Sequence, residues 1–474
     1  MSPRVQVGLL ATAAGLGAVP FAGRPLSPDE GGLLLLAGQW SPGSSLYGDY
    51  FVDRPPGLIA LAALADAAGG GWASSGLALR VLGVAAIVVT VLLSGLLGRL
   101  AAPDQPSAPA LTAATAALLT TTPLFGGTVV NGELLGLPFL LGGCACVVAA
   151  STAERWLLWG LLGGVLGAGG ALVKQSLLDV FVLAVVLLVA RRRFGALGAV
   201  AGGALATVAV AVAAAALRGT APGELWDAVV VFRREAAAVI AASATGSTTT
   251  RLGGMLLALV ATGAPLLAIA LARRARGSWL WWPALAVLAW ELFVVLGGGS
   301  YWLHYLMGLV PGLVLLTAAA AQRMGQQGAR PGRLLAAAYA VVAGSTVVAL
   351  LWVALHPIER PEEPAIAWLD DHVRPGDTAV VAFGGPNILQ ATGMRSPYPD
   401  LWSLPVRVHD PHLDDLSALL AGADRPTWVV VAGKSLGSWG IDASVANGVL
   451  ADHYDLRATT DDWTIYQASN EESE

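Results

Sequence analysis

The sequence predicts a polytopic α-helical membrane protein of about eleven spans with a small C-terminal α/β domain. Three observations carry that prediction. Of 474 residues, 55% are apolar and 12% are charged, about half the ~25% charged residues usual in soluble domains. The apolar residues gather into runs that approach the ~20 residues needed by a helix crossing a ~30 Å hydrocarbon core. The charge is unevenly divided: residues 1–356 hold 20 Lys+Arg against 13 Asp+Glu, and residues 357–474 hold 7 against 19. A net charge of -5 therefore conceals a body of +7 and a tail of -12. A wholly cytosolic enzyme and a disordered chain are both excluded, and no nucleic-acid partner is expected.

In chain order the spans fall at about 5–22, 75–98, 108–124, 133–150, 156–172, 175–190, 195–217, 252–272, 279–297, 302–321 and 333–356. Pro20, Phe21 and Arg24 follow the first run where a cleavage site would need small residues, so it reads as an uncleaved span. Short cytoplasmic loops retain Lys and Arg. With the N-terminus inside, those loops hold Arg4, Arg99, Arg155, Arg191 to Arg193, Arg273, Arg274, Arg276, Arg323, Arg330 and Arg333. The outer loops then collect Asp29, Glu30, Asp49, Asp53, Glu133, Glu224 and Asp227. Arg233 and Arg234 also fall outside, in a longer loop where the rule is weak. Residues 1–356 are thus expected to form the membrane domain and residues 357–474 an extracytoplasmic domain. The near-absence of Lys and the excess of Ala and Gly point to a GC-rich bacterial genome, hence to a bacterial plasma membrane.

Two outer segments are long, 23–74 and about 218–251. Residues 28–40 and 56–68 read as interfacial helices, with Trp40 and Trp72 suited to the headgroup level. In the tail, Pro361–Asp371 begins a helix, and Asp377–Phe383, Thr427–Ala432 and Trp463–Tyr466 read as strands separated by turn residues. Cys144 and Cys146, the only cysteines, stand two apart in an apolar run, which excludes a disulfide framework or a cysteine metal site.

Ionisable residues near a bilayer are costly and point to function. Five segments carry them. Ser27-Pro-Asp29-Glu30 reads either as a helix cap or as a carboxylate base for an acceptor. Tyr47 to Pro56 holds Asp49, Asp53 and Arg54, either an aromatic turn or a phosphate-binding group. Glu133 opens a span, where capping competes with function. Lys174, beside Gln175, either snorkels or binds an anion. His304-Tyr305, followed by Pro311, reads as aromatic belt or site, with Glu291 buried nearby, protonated or paired. All five fall on one expected membrane face, which favours one site combining an acceptor base with a phosphate clamp.

These residues resemble the GT-C superfamily of polyprenyl-phosphate-sugar-dependent glycosyltransferases, in its protein O-mannosyltransferase and aminoarabinose-transferase branch. The resemblance covers most of residues 1–320. The family's Asp-Glu pair after the first span matches Asp29-Glu30. Its Tyr/Asp stretch matches Tyr47-Gly-Asp49, and its acidic-Lys-Pro-Pro motif matches Asp53-Arg54-Pro55-Pro56 with Arg for Lys. Glu133, Lys174-Gln175 and His304-Tyr305 with Pro311 match later positions.

The resemblance implies inverting transfer of one sugar from a polyprenyl monophosphate to a glycan, lipid or protein acceptor on the outer face. Asp29 would take the acceptor's proton, and Glu30 would support it or hold the loop. Arg54, Lys174 and Tyr305, with His304, would stabilise the leaving phosphate, and Asp49, Asp53 and Glu133 would support. Some members use a divalent cation held by outer-loop carboxylates, and the sequence leaves metal use open. In the tail, a covering role competes with acceptor recognition by Asp400, Trp402 and Pro397-Tyr-Pro399. The rival classes are a transporter or flippase, a polyprenyl-diphosphate polymerase or ligase, and an inactive homologue. Transporters usually set charges at the midplane on broken helices with repeat symmetry, whereas here most charges lie at one surface.

Overall fold

The computed structural model describes residues 1–70, 74–242, 246–328, 332–437 and 440–469. Trp72 and Arg330 lie outside the described residues. The chain divides into two compact units. One comprises Met1–Arg24, Arg80–Ala211 and Thr245–Pro357; the other comprises Pro25–Leu79, Val212–Ala244 and Ile358–Glu474. The tail thus begins near the expected boundary, but both long outer segments pack with it.

The first unit is helical, with a helix at each expected span. Among the described residues seven helices are long and apolar enough to cross a membrane: Pro3–Ala22, Ser75–Ala101, Gly132–Thr152, Trp156–Val173, Phe194–Arg218, Leu303–Gln327 and Arg333–Leu355. The expected span 252–272 is a broken one, Thr248–Ala261 and Ala264–Ala275, bent by 55°. Thr262-Gly263-Ala-Pro265 explains the break, since proline cannot continue the hydrogen-bond ladder of a preceding helix. Three further expected spans are shorter helices, Ala108–Thr121, Asp179–Ala190 and Trp281–Gly297. Twelve residues rise only about 18 Å, so Asp179–Ala190 does not cover a hydrocarbon core by itself. Pro123 stops the first of these, and the Lys174-to-Leu178 turn takes the residues expected to start the second. Length and composition therefore support seven crossings, or eight with the bent pair.

Some polar groups inside this bundle join its helices. Thr115 Oγ1 lies 3.0 Å from Thr317 Oγ1 and 2.7 Å from the Tyr339 hydroxyl, joining three helices. Asp179 and Glu291 are both buried here. Glu291 Oε1 accepts from the Gly312 amide at 2.7 Å.

The second unit holds a four-stranded sheet of β1 (Ala379–Ala382), β2 (Trp428–Ala432), β3 (Tyr454–Thr459) and β4 (Trp463–Ala468) in the order β1-β2-β4-β3. β1 and β2 are parallel, and the other two pairings are antiparallel. Three strands match the expected ones. β3 was not expected, because its Asp455 and Arg457 give an exposed edge strand no apolar alternation.

The helix Pro28–Ala37 is buried along most of its length rather than laid open on one face. A Cβ on Gly31 would come within 2.5 Å of the Asn387 backbone, and one on Gly32 within 2.2 Å of the Trp402 ring. Only glycine lets the tail segment seat this closely on the helix.

Candidate active site

In the second unit the first outer loop is organised from its helix start. Ser27 caps Pro28–Ala37 and Glu30 returns the bond, forming a capping box. The Ser27 amide and hydroxyl both donate to Glu30 Oε2 at 2.9 Å. Glu30 is fully buried in that role, while Asp29 beside it is exposed. At the far end of the helix, Gln39 fixes the loop that follows. Its amide donates to the Leu46 and Tyr50 carbonyls, and its Oε1 accepts from the Asp49 and Tyr50 amides at 2.9 and 2.8 Å.

The Tyr47 hydroxyl donates to the Arg54 carbonyl at 3.0 Å. Burial, and then the negative charges of Glu224 and Asp53, push that phenol up, so it stays a donor. Asp53, only 8% exposed, receives Arg54 at 2.9 Å on one oxygen and Arg233 at 2.8 Å on the other. The helical run that delivers Arg233 includes a π turn, Asp227–Val231, just before Phe232. Such a turn re-aims the side chains after it and recurs at functional sites. Asp49 is exposed and meets Arg395 at 3.4 Å.

In the first unit a separate group assembles around Lys174. Its ammonium is ion-paired with Glu133 and lies 4.4 Å from the Tyr305 ring centroid. His304 Nε2 lies 3.9 Å from the other Glu133 oxygen, and the His304 and Tyr305 rings meet edge-on at 5.1 Å. Asn131, not Glu133, caps the helix Gly132–Thr152, leaving the Glu133 carboxylate to pair with Lys174. Gly126 has φ +75°, and a Cβ there would come within 2.8 Å of the His304 backbone. Arg251 lies 4.8 Å from the Trp302 ring centroid, beside this segment in sequence.

The chain superposes on ArnT from Cupriavidus metallidurans bound to undecaprenyl phosphate with a TM-score of 0.65, over 98% of both chains, at 14% identity. The chain has the GT-C fold. The archaeal oligosaccharyltransferase AglB from Archaeoglobus fulgidus, in complex with an inhibitory peptide and a dolichol-phosphate, matches this chain at a TM-score of 0.51 and 11% identity, over 98% of this chain and 74% of that one. The arabinofuranosyltransferase AftD from Mycobacteria matches at 0.50 and 15%, over 99% of this chain and 42% of that one. No protein-family model and no curated protein matches the sequence.

Within this chain the sequence-predicted residues therefore form two groups, one in each unit. Asp53 and Arg54 come together with Arg233, and Glu133, Lys174, His304 and Tyr305 come together. Among the described residues no cluster of three His, Cys, Asp or Glu side chains converges on a metal-sized space. The outer-loop carboxylates that would hold a cation are engaged otherwise: Glu30 in the cap, Asp53 between two arginines and Asp49 with Arg395. They do not fit a divalent-ion site as placed.

The tail residues considered for acceptor contact are occupied too. Asp400 is buried against His409, Trp402 packs on Gly32, and the Pro399 carbonyl accepts from Phe51 at 3.0 Å. Sequence reasoning missed Gln39, Arg233 and Arg251. Only Arg233 left a trace, as an outer-loop cation that a positive-inside count cannot interpret.

Proposed function

We propose that the protein is a membrane glycosyltransferase that moves a single sugar from a polyprenyl-monophosphate donor to a glycan, lipid or protein acceptor on the outer face, with inversion. The observation that carries this reading is the match over 98% of both chains to a structure bound to undecaprenyl phosphate. The acceptor oxygen attacks the anomeric carbon opposite the phosphate, and the bond from that carbon to the phosphate oxygen breaks. The bonding pair leaves with the polyprenyl phosphate, and the acceptor's proton goes to Asp29.

An exposed carboxylate in the first turn of a helix is open to an incoming hydroxyl, which supports the base assignment. Glu30 fixes that turn and acts on the reaction only through Asp29. On the sequence resemblance, Arg54, Lys174, Tyr305 and His304 are the candidate groups for stabilising charge on the leaving phosphate, a role that preorganised donors fill best beside low-dielectric lipid. Asp53 and Glu133 orient those cations. The reading makes this a multi-pass protein of a bacterial plasma membrane, with the N-terminus cytoplasmic and residues 357–474 outside.

Mass spectrometry of lipids and cell-wall glycans tests the reading in cells carrying the wild type, Asp29→Asn or no copy. The absence of the protein and Asp29→Asn should both leave one glycan or lipid short of a sugar, while the polyprenyl-phosphate sugar accumulates. A normal glycan profile with Asp29→Asn would remove the base assignment, and an unchanged profile without the protein would remove the activity.

A further inference from the structure

Three segments far apart in sequence meet at His409, all within the second unit. Its imidazole centroid lies 4.5 Å from the Phe51 ring and 5.3 Å from the Phe232 ring, and those two rings lie 4.8 Å from each other. Phe51 stands two residues before Asp53, and Phe232 directly precedes Arg233, so the aromatic trio lies beside the Asp53–Arg233 ion pair.

Neighbouring bonds fasten the same three segments. The Ser396 amide donates to the Tyr50 hydroxyl at 3.1 Å, the Phe51 amide to Pro399 at 3.0 Å and Arg407 to the Val239 carbonyl at 3.3 Å. On its other side His409 Nδ1 meets both oxygens of Asp400 at 3.2 Å. Asp400 is 4% exposed, and His409 is its hydrogen-bond partner among the described residues. A buried carboxylate that loses its cation is strongly unfavourable.

We propose that His409 is a positioning residue: as an imidazolium on Asp400 it packs against the touching rings of Phe51 and Phe232, holds the two outer loops in register, and makes the Asp53–Arg233 alignment pH-dependent. The proposal rests on the reading of Arg54 as a phosphate ligand only in its last step, from loop alignment to lipid binding.

The groups facing His409 have one sign. Asp400 comes from the tail and Glu235 from the helix Phe232–Ala242, while the first loop presents only the uncharged Phe51. The hydrogen bond to Asp400 raises His409 above the ordinary histidine range, partial burial opposes this, and the charges of Asp400 and Glu235 reinforce it. A raised value in the folded protein means that the holding force is fully present below the ordinary value of about 6.5 and is lost as pH rises through the folded value.

The test uses the full chain in lipid nanodiscs. Hydrogen–deuterium exchange of peptides covering residues 47–54 and 228–236 is followed across the histidine range and corrected for the intrinsic rate. In the wild type both peptides should be protected on the acid side and lose protection together on the alkaline side. His409→Ala should exchange about tenfold faster or more in both peptides at acid pH, the scale of one lost charge-assisted hydrogen bond. His409→Phe, which keeps a ring but cannot charge, should show no pH step. Asp400→Asn, which keeps a hydrogen-bonding group, should move the step to lower pH.

Equal exchange in wild type and His409→Ala, or a step that Asp400→Asn leaves in place, would overturn the clamp. Undecaprenyl phosphate titrated into the same nanodiscs should bind more weakly along the same alkaline limb. Binding that ignores the step would overturn the positioning role. A wild type that binds no undecaprenyl phosphate at any pH would instead defeat the donor reading, leaving the exchange result to stand for the clamp.

Discussion

Removing Lys174 tests both the packing and the chemistry of the first unit. Its ammonium and the Glu133 carboxylate expose only 10% and 6% of their side chains, so water screens the pair little. Replacing Lys174 with Met keeps most of the apolar stem but leaves Glu133 buried with no ammonium, His304 being its other neighbour at 3.9 Å. Breaking a buried pair from one side costs about 3–5 kcal/mol. The lost cation–π contact with Tyr305 adds about 0.5–2 kcal/mol.

Lys174→Met with Glu133→Gln removes the stranded charge, so the double variant should recover most of the first loss. The coupling should lie toward the top of the usual range of about 0.5–3 kcal/mol. Denaturant titration in mixed micelles supplies the four stabilities of the cycle, and undecaprenyl phosphate binding supplies an independent readout. The double variant should be stable yet bind the lipid poorly, because its cation is gone. A double variant no more stable than Lys174→Met would refute the pairing as the reason for the loss. Undiminished lipid binding would refute the role of Lys174 as a phosphate ligand.

Other outcomes follow from the same geometry. Arg54→Ala should weaken undecaprenyl phosphate binding, and Arg233→Ala should do so less, because it releases Asp53 rather than removing the proposed ligand; equal affinity in wild type and Arg54→Ala would take that residue out of the clamp. Gln39→Leu should cost about 2–4 kcal/mol, since two donors and two acceptors of the 46–50 backbone lose their partner, and thermal unfolding in detergent would show it. Membrane-impermeant thiol labelling of single cysteines at positions 395, 412 and 455, in a chain with Cys144 and Cys146 replaced, should label from outside; labelling only from inside would remove an odd number of spans from the topology.

Much of the architecture was legible because its signals are local. A ~20-residue apolar run, a Ser-Pro-Asp-Glu helix start and a Thr-Trp-Val-Val-Val strand each declare themselves within a few residues, and helices stand at every expected span. The bend at Gly263 and the shortness of Asp179–Ala190 were harder, because hydropathy averages over residues that backbone geometry separates. Within the site, Glu133, Lys174, His304 and Tyr305 come from segments expected to share one site, and the fold brings these four together. Arg233, Gln39 and His409 were not named as site residues. Each acts through partners on distant segments, and neither periodicity nor motif spacing encodes which polar side chain meets which backbone across a folded loop.

The partners also distinguish four acids of the first outer loop. Glu30 is spent on Ser27, Asp53 on two guanidinium groups, and Asp49 on an exposed arginine. Asp29 alone of the four is exposed without a hydrogen bond or ion pair among the described residues. A base must accept a proton during the reaction, and a carboxylate already neutralised by two arginines is poorly placed to do so, since their charges favour its ionised form. The same argument gives Asp53 its task. A guanidinium fixed by a buried carboxylate loses less freedom when a phosphate arrives, and Asp53 fixes two of them. In a metal-dependent site a divalent ion would supply that concentrated positive charge. Here arginines occupy the carboxylates that would have held it, which ties the Arg of Asp53-Arg54-Pro55-Pro56 to Arg233 as one electrostatic unit.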